Sequence, residues 1–409
     1  MTSPAAALRT TTFRVLTAGW ALTNFADSVL SLIFAVWVTD LTGSAALGGA
    51  TFAVFGAPAF VAPFLGRLAD RVSRRRMLVW TYVAGAAVLV PLFWVSQASH
   101  VWLVYVVAVV YATVAYVTAA CQSGLLKDLL PDESLGFANG RLAAIDQVFR
   151  ISMPLLGAAV YVWTGPGPLV AAAIVAFLGA AAVFAGVRLT ESVATDDEGA
   201  GFWHEALDGF RHLFSTPPLG GMTWTILGAL AAVGLVNAVA FAILDHLGLD
   251  AALLGPLTTF QGVAGLVAGL LAGRLMLRWG RLPVFTAGLL GLGVGLVPLA
   301  SSSVVAAVVA MGVVGFSVTS SVVAFVTERQ VMTPARLQGR VGAASHVVLN
   351  LPGVLVTLAG AAALAVVDHR VLVLVNAAVC LVCGLLALRL RAVTAGDRGA
   401  ATARDAVDG

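Results

Sequence analysis

The chain has 409 residues, 60% of them hydrophobic, with a mean hydropathy of +0.98. Charged residues make up 11%, against about 25% in ordinary globular domains, so a soluble core is excluded and a polytopic membrane protein is indicated. The net charge of +3 carries no nucleic-acid signature, because the basic residues gather in loops between apolar runs.

About twenty apolar residues cross a bilayer as a helix. Twelve runs meet that length: 15–38, 46–66, 77–96, 101–122, 139–163 and 166–188, then 222–244, 252–273, 284–302, 304–326, 341–366 and 371–389. The expectation is an all-α membrane protein of twelve transmembrane helices in two pseudo-symmetric six-helix halves, residues 1–188 and 222–391. A polar connector, 189–221, joins them, and 392–409 reads as a disordered tail. With both termini in the cytoplasm, of the 23 lysines and arginines only Arg150 falls deep inside a span and only Arg370 in an outer loop, the other 21 being cytoplasmic or at that boundary. That sorting places the chain in a bacterial inner membrane with both ends cytoplasmic. Cys121, Cys380 and Cys383 lie in or beside apolar runs and suggest neither a disulfide framework nor a zinc site.

Between the second and third runs lies Gly66-Arg67-Leu68-Ala69-Asp70-Arg71-Val72-Ser73-Arg74-Arg75-Arg76. Each such charge costs about 2.5–3.5 kcal/mol at a helix centre in the bilayer, so this is a short loop at the water boundary. The second half echoes it as Gly273-Arg274-Leu275-Met276-Leu277-Arg278-Trp279-Gly280-Arg281, with Leu277 where Asp70 stands. A fainter echo pairs Gly140-Arg141-Leu142 with Gly339-Arg340-Val341. Two similar halves indicate a duplicated transporter fold.

The spacing Gly66, Asp70-Arg71, Arg74-Arg75-Arg76 resembles the loop signature of major facilitator superfamily transporters. The resemblance implies that the third helix of each three-helix unit is peripheral and that the others line a central cavity. It also implies that Asp70 lies near the cytoplasmic start of helix 11, where free N–H groups and the helix dipole would let it clamp that side shut. Gly66, Asp70, Arg71, Arg74, Gly273, Arg278 and Arg281 are then the conformational-gate residues, with Arg71 and Arg74 pairing with acids of their own half or with lipid phosphate. Further stretches are similar to the proton-antiporter branch that includes macrolide and siderophore exporters: Ala26-Asp27, Trp37-Val38-Thr39-Asp40-Leu41-Thr42-Gly43-Ser44, Leu130-Pro131-Asp132-Glu133, Asn139 through Arg150, and Thr333-Pro334-Ala335-Arg336-Leu337-Gln338-Gly339-Arg340. The arginine that related exporters carry in helix 4 is missing from Ala119-Ala120-Cys121-Gln122-Ser123-Gly124.

Two acids fall inside spans. Asp27 lies near the middle of the first, and Asp146 lies in the fifth, one turn from Arg150. A carboxylate at that depth faces a cavity, finds a partner or holds its proton, so Asp27, Asp146 and Arg150 are the proton-coupling candidates, the alternative being polar contacts between helices. Asp146 and Arg150 are spaced to pair with each other. Asn24, Ser31, Asn237, Gln261, His346 and Asn350 are the candidate cavity residues. In the connector, Phe202, Trp203, Ala206, Leu207, Phe210, Leu213 and Phe214 recur at helical spacing, as an interfacial helix or as a clamp between the halves.

The expected activity is proton-coupled efflux of an amphiphilic organic compound by alternating access. Nutrient uptake or lysolipid flipping on the same fold is the alternative. The chain has no His-Glu-x-x-His and no Gly-x-Ser-x-Gly, so an enzyme is not expected. No cofactor or nucleic acid is expected; the partners are the substrate, protons and membrane lipid, and the protein is expected to be a monomer.

Overall fold

The first long helix, α1 (Thr11–Thr42), shows how the chain sets its helix ends. Thr10 caps its start by accepting the Phe13 N–H, and Gly43, at φ +67°, closes its end by donating to the Thr39 carbonyl. Only glycine takes that left-handed turn at no steric cost. The computed structural model describes residues 7–187, 191, 202–250, 253–363 and 367–405, and among them all regular structure is helical.

After α1 the first half continues through α2 (Ala45–Val54), α3 (Ala62–Arg71), α4 (Arg74–Leu89), α5 (Val101–Leu129), α6 (Asp132–Thr164) and α7 (Gly167–Gly186). A connector helix, α8 (Phe202–Ser215), leads to α9 (Leu219–His246), α10 (Leu254–Trp279), α11 (Arg281–Leu296), α12 (Val304–Met332), α13 (Gln338–Ala363) and α14 (His369–Asp405). Among the described residues ten helices are long and apolar enough to cross a membrane. The other two expected spans are α13 and a broken segment. Residues 46–66 do not form one helix: α2 ends at Val54, Ala57–Phe60 form a 3₁₀ turn, and α3 starts at Ala62. Pro58 and Pro63 remove two backbone donors there and crowd the preceding turn.

Several helices run past their expected ends. α5 reaches Leu129, α6 begins at Asp132 and α12 reaches Met332, because polar residues at the water boundary continue a helix as readily as apolar ones. Likewise α14 continues to Asp405, through most of the stretch expected to be a disordered tail; its alanines and arginines are good helix formers.

Each half builds its own core. One cluster is centred on Trp20, Phe34, Tyr82, Phe177 and Phe184, the other on Phe285, Phe325, Leu289 and Cys380. Ala343 of α13 is buried in the first-half cluster, so the halves interlock at the start of α13. α4 packs on α7 and α11 on α14 at the periphery, while α1, α3, α5, α6, α9, α10, α12 and α13 make the centre. Exposed tryptophans mark two rings. Trp80, Trp224 and Trp279 lie toward the end that carries the basic loop, here called the basic end, and Trp94, Trp102 and Trp163 toward the other. Indole rings at both borders of an apolar band are what a membrane span shows.

Candidate functional site

The two halves close on each other at the basic end, and Asp70 sits at the contact. It is 1% exposed. Its Oδ1 accepts the Gly339 N–H at 2.6 Å and its Oδ2 accepts the Arg340 N–H at 3.0 Å, both in the first turn of α13. The Arg340 Nε adds a bond at 3.3 Å. First-turn N–H groups have no partner in their own helix, so a carboxylate there satisfies donors that would otherwise be orphaned. The approach requires glycine on both sides. A Cβ on Gly66 would lie 2.7 Å from the Arg340 Cα, and one on Gly339 would lie 2.7 Å from the Gly66 carbonyl oxygen.

Arg74 backs the acid from within the first half. It is 1% exposed, lies 3.6 Å from Asp70, bonds Asp128 at 2.7 Å and donates to the Ala335 carbonyl at 3.1 Å. Arg71 is half-buried at the end of α3. Arg281 repeats the Arg74–Asp128 pairing in the second half by binding Glu328. Arg278 lies over the Trp279 ring at 5.8 Å. Leu277, the counterpart of Asp70, is 60% exposed and touches nothing equivalent.

A second seam lies between α6 and α10. Gly140 and Gly269 face each other so closely that a Cβ on either would collide with the other's carbonyl oxygen. Gly273 packs on Phe137 in the same seam. Asn139 crosses to α12, donating to Thr327 Oγ1 at 3.0 Å and Gln330 Oε1 at 2.7 Å. Ser123 crosses from α5 to Gln338 Oε1 at 2.8 Å. α8 completes the closure: its Asp208 lies 3.5 Å from the Arg340 guanidinium, Gly209 presses on the Arg340 backbone and Leu213 is fully buried. The connector helix therefore packs against α3, α9 and α13 as a brace.

Inside this closure a cavity of about 210 Å³ lies between the halves, bounded by α5, α6, α12 and α13. His346 lines it, with its ring edge-on to Tyr116 at 4.6 Å. Asn350 is exposed and donates to the His346 carbonyl. The other candidates do not gather there. Asn24 and Ser31 donate to backbone carbonyls of their own helix, Trp20 and Ser28. Gln261 is half-buried on α10, and the side chain of Asn237 lies outside the described residues. Asp27 accepts a hydrogen bond from the Tyr111 hydroxyl, beside the rings of Phe34 and Phe55. Asp146 is half-buried and Arg150 exposed; among the described residues no direct salt bridge joins them, and the Arg150 charge is near enough to act on Asp146. Arg329 and Gln330 do line the cavity. Sequence reasoning missed them because it ended the tenth span at 326 and counted Arg329 as a boundary charge; the signal was an Arg-Gln pair on a helix with no loop residue before Thr333. Among the described residues no three His, Cys, Asp or Glu side chains converge to hold a metal ion.

The sequence model of the Major Facilitator Superfamily matches residues 16–244 and again residues 227–407. The chain belongs to the major facilitator superfamily. The two matches divide the chain near its middle, as the internal echo requires. No curated protein matches the sequence. Among solved structures, a bacterial homologue of the iron transporter ferroportin in an outward-facing state is 17% identical, covering 93% of this chain and 99% of that one, with a TM-score of 0.75. The human organic anion transporter MFSD10 is 14% identical over 91% and 98%, also at 0.75. The transporter FucP in its outward conformation is 14% identical over 92% and 98%, at 0.72. These likenesses carry the fold. With the family they make this chain a multi-pass membrane transporter of the major facilitator fold, and not an enzyme.

Proposed function

We propose that the protein is a proton-coupled exporter of an amphiphilic organic compound, working by alternating access as a monomer in a bacterial inner membrane with both termini cytoplasmic. The observation that carries this reading is Asp27, an acid within an apolar span held by Tyr111 among aromatic rings. A carboxyl group at that depth can pass a proton across when water reaches it from either side in turn, which is what coupling to a proton gradient needs. The basic end, sealed by Asp70 on α13 and by the Gly140–Gly269 seam, is the cytoplasmic face by the distribution of lysine and arginine, so this conformation faces outward. Rocking of one half against the other would break the Asp70 bonds and expose the central helices to the cytoplasm.

The test uses everted vesicles from cells expressing the protein, an imposed pH gradient and a panel of amphiphilic antibiotics. At least one compound should dissipate the gradient in vesicles with the native chain and none with Asp27→Asn. An Asp27→Asn protein that still exchanges substrate for protons would end the assignment of coupling to Asp27. A carboxy-terminal green fluorescent protein fusion that stays dark in intact cells would end the cytoplasmic placement of the terminus.

A further inference from the structure

Arg329 is a buried cation without an anion among the described residues. It is 4% exposed, on α12, and its Nε is fully buried with no hydrogen-bond partner. No hydrogen bond or ion pair of its guanidinium to any described residue is present. The neighbouring buried arginines are different: Arg74 has Asp128 and Asp70, and Arg340 has Asp70 and Asp208. Glu328, the acid next to Arg329 in sequence, is committed to Arg281 across to α11. An uncompensated charge in low dielectric is strongly unfavourable, so a chain that keeps one holds it for a partner that arrives from outside.

The surroundings say what that partner is. Arg329 lines the 210 Å³ cavity between the halves, with Gln122, Ser345 and His346 supplying further polar groups and Leu142 and Leu349 supplying apolar wall. Among the described residues no carboxylate lines the cavity. Helix packing does not demand an arginine here either: in the first half the residue that follows Asp128, as Arg329 follows Glu328, is Leu129. The planar fork of a guanidinium matches the two oxygens of a carboxylate. The volume falls below the roughly 300 Å³ at which drug-sized sites begin, so it fits a compact acid or the acidic end of a longer amphiphile.

We propose that the cavity between the halves is a binding site for an organic carboxylate, held by Arg329. This rests on the transport reading only in taking the cavity between the halves as the substrate site; it is independent of proton coupling and of direction.

The experiment is equilibrium binding to the purified full-length protein in detergent, by thermal shift and calorimetry. The probes are benzoate, its uncharged amide benzamide and the cation benzylammonium, at matched ionic strength, with octanoate as a longer carboxylate. Benzoate or octanoate should bind, and benzamide and benzylammonium should not. Arg329→Gln should weaken carboxylate binding about tenfold or more while leaving the melting temperature of the ligand-free protein unchanged or higher, because an unpaired charge has been removed. A merely structural arginine would give the opposite sign, a lower melting temperature. Arg329→Lys keeps the charge without the fork and should bind with intermediate affinity; if Arg329→Gln does not fold, reduced affinity in Arg329→Lys supports the site and native affinity overturns it. Carboxylate binding unaltered by Arg329→Gln, or no preference of the native protein for either carboxylate over benzamide, overturns the proposal. Benzoate binding is read with no proton gradient, so loss of proton exchange and loss of the anion site are read separately.

Discussion

Asp70→Asn tests the closure at the basic end directly. The carboxylate accepts two backbone N–H bonds, at 2.6 and 3.0 Å, from the first turn of α13, and the Arg340 Nε at 3.3 Å. An asparagine has one carbonyl oxygen, so it can keep one backbone donor and must point its NH₂ at the other. Hydrogen bonds to a charged group are worth about 1.5–3 kcal/mol each, and Asp70 is too buried for water to replace the lost one. The closed state should lose about 2 kcal/mol, roughly a thirtyfold shift toward opening of the basic end. Arg74 keeps Asp128, so the first half itself should remain folded. The assay is pulsed electron resonance between spin labels at positions 68 and 277, whose leucines are exposed on opposite halves at this end. The variant should show a longer-distance population that the native protein lacks. Identical distance distributions in both would refute the claim that Asp70 holds the halves together.

Leu277→Ala should leave both the distance distribution, measured from another exposed site on α10, and the thermal stability unchanged, because that side chain makes no contact of the Asp70 kind. Gly140→Ala should favour opening of the same end more strongly than Asp70→Asn, since its methyl group collides with the Gly269 carbonyl and backbone cannot yield cheaply; an unchanged closed population would show that the seam is looser than it is drawn. Asn139→Leu should strand Gln330 Oε1 in a buried site and lower the melting temperature by an amount equivalent to about 1–3 kcal/mol, read by thermal unfolding. Phe210→Asp, which puts a charge where α8 packs on the second-half core, should lower the yield of inserted protein; undiminished yield with unchanged transport would make α8 a passive linker.

The spans and the duplication were legible because they rest on strong local signals, whereas the closeness of Asp70 to α13 was legible only through the resemblance of its loop to the superfamily signature. Apolar length marks helices, and charges mark boundaries. The break in the second span was legible in principle from Pro58 and Pro63, yet hydropathy alone smooths over prolines. The cavity was less legible. Asn24, Ser31 and Asn350 are polar and within spans, but each satisfies itself on its own helix backbone, which a polar side chain in lipid does whenever it can reach a carbonyl. Asp146 and Arg150 have the right spacing and act on each other without a direct salt bridge, since spacing brings side chains near without fixing their rotamers. Arg329 was hidden by the opposite error: a cation near a helix end reads as a boundary residue until the neighbouring helices are seen to bury it.

The loss of the acid at Leu277 follows from where helices begin. Asp70 has donors to bond because α13 starts at Gln338, which leaves the Gly339 and Arg340 N–H groups in the first turn. In the first half the matching glycine, Gly140, lies about two turns inside α6, which starts at Asp132 directly after Pro131. Its N–H already belongs to the helix. The second half differs because Pro334 is followed by a 3₁₀ turn, Ala335–Leu337, that delays the start of α13 and delivers open N–H groups to the seam. An acid at 277 would therefore meet a finished helix, with no donor to offset its desolvation, and leucine is the better residue there. Both seams at the basic end thus pack glycine against glycine, and the first adds a charge on a helix start. Only the first holds a charged contact that can be removed without steric change, which makes Asp70 the place where closure of the basic end can be tuned.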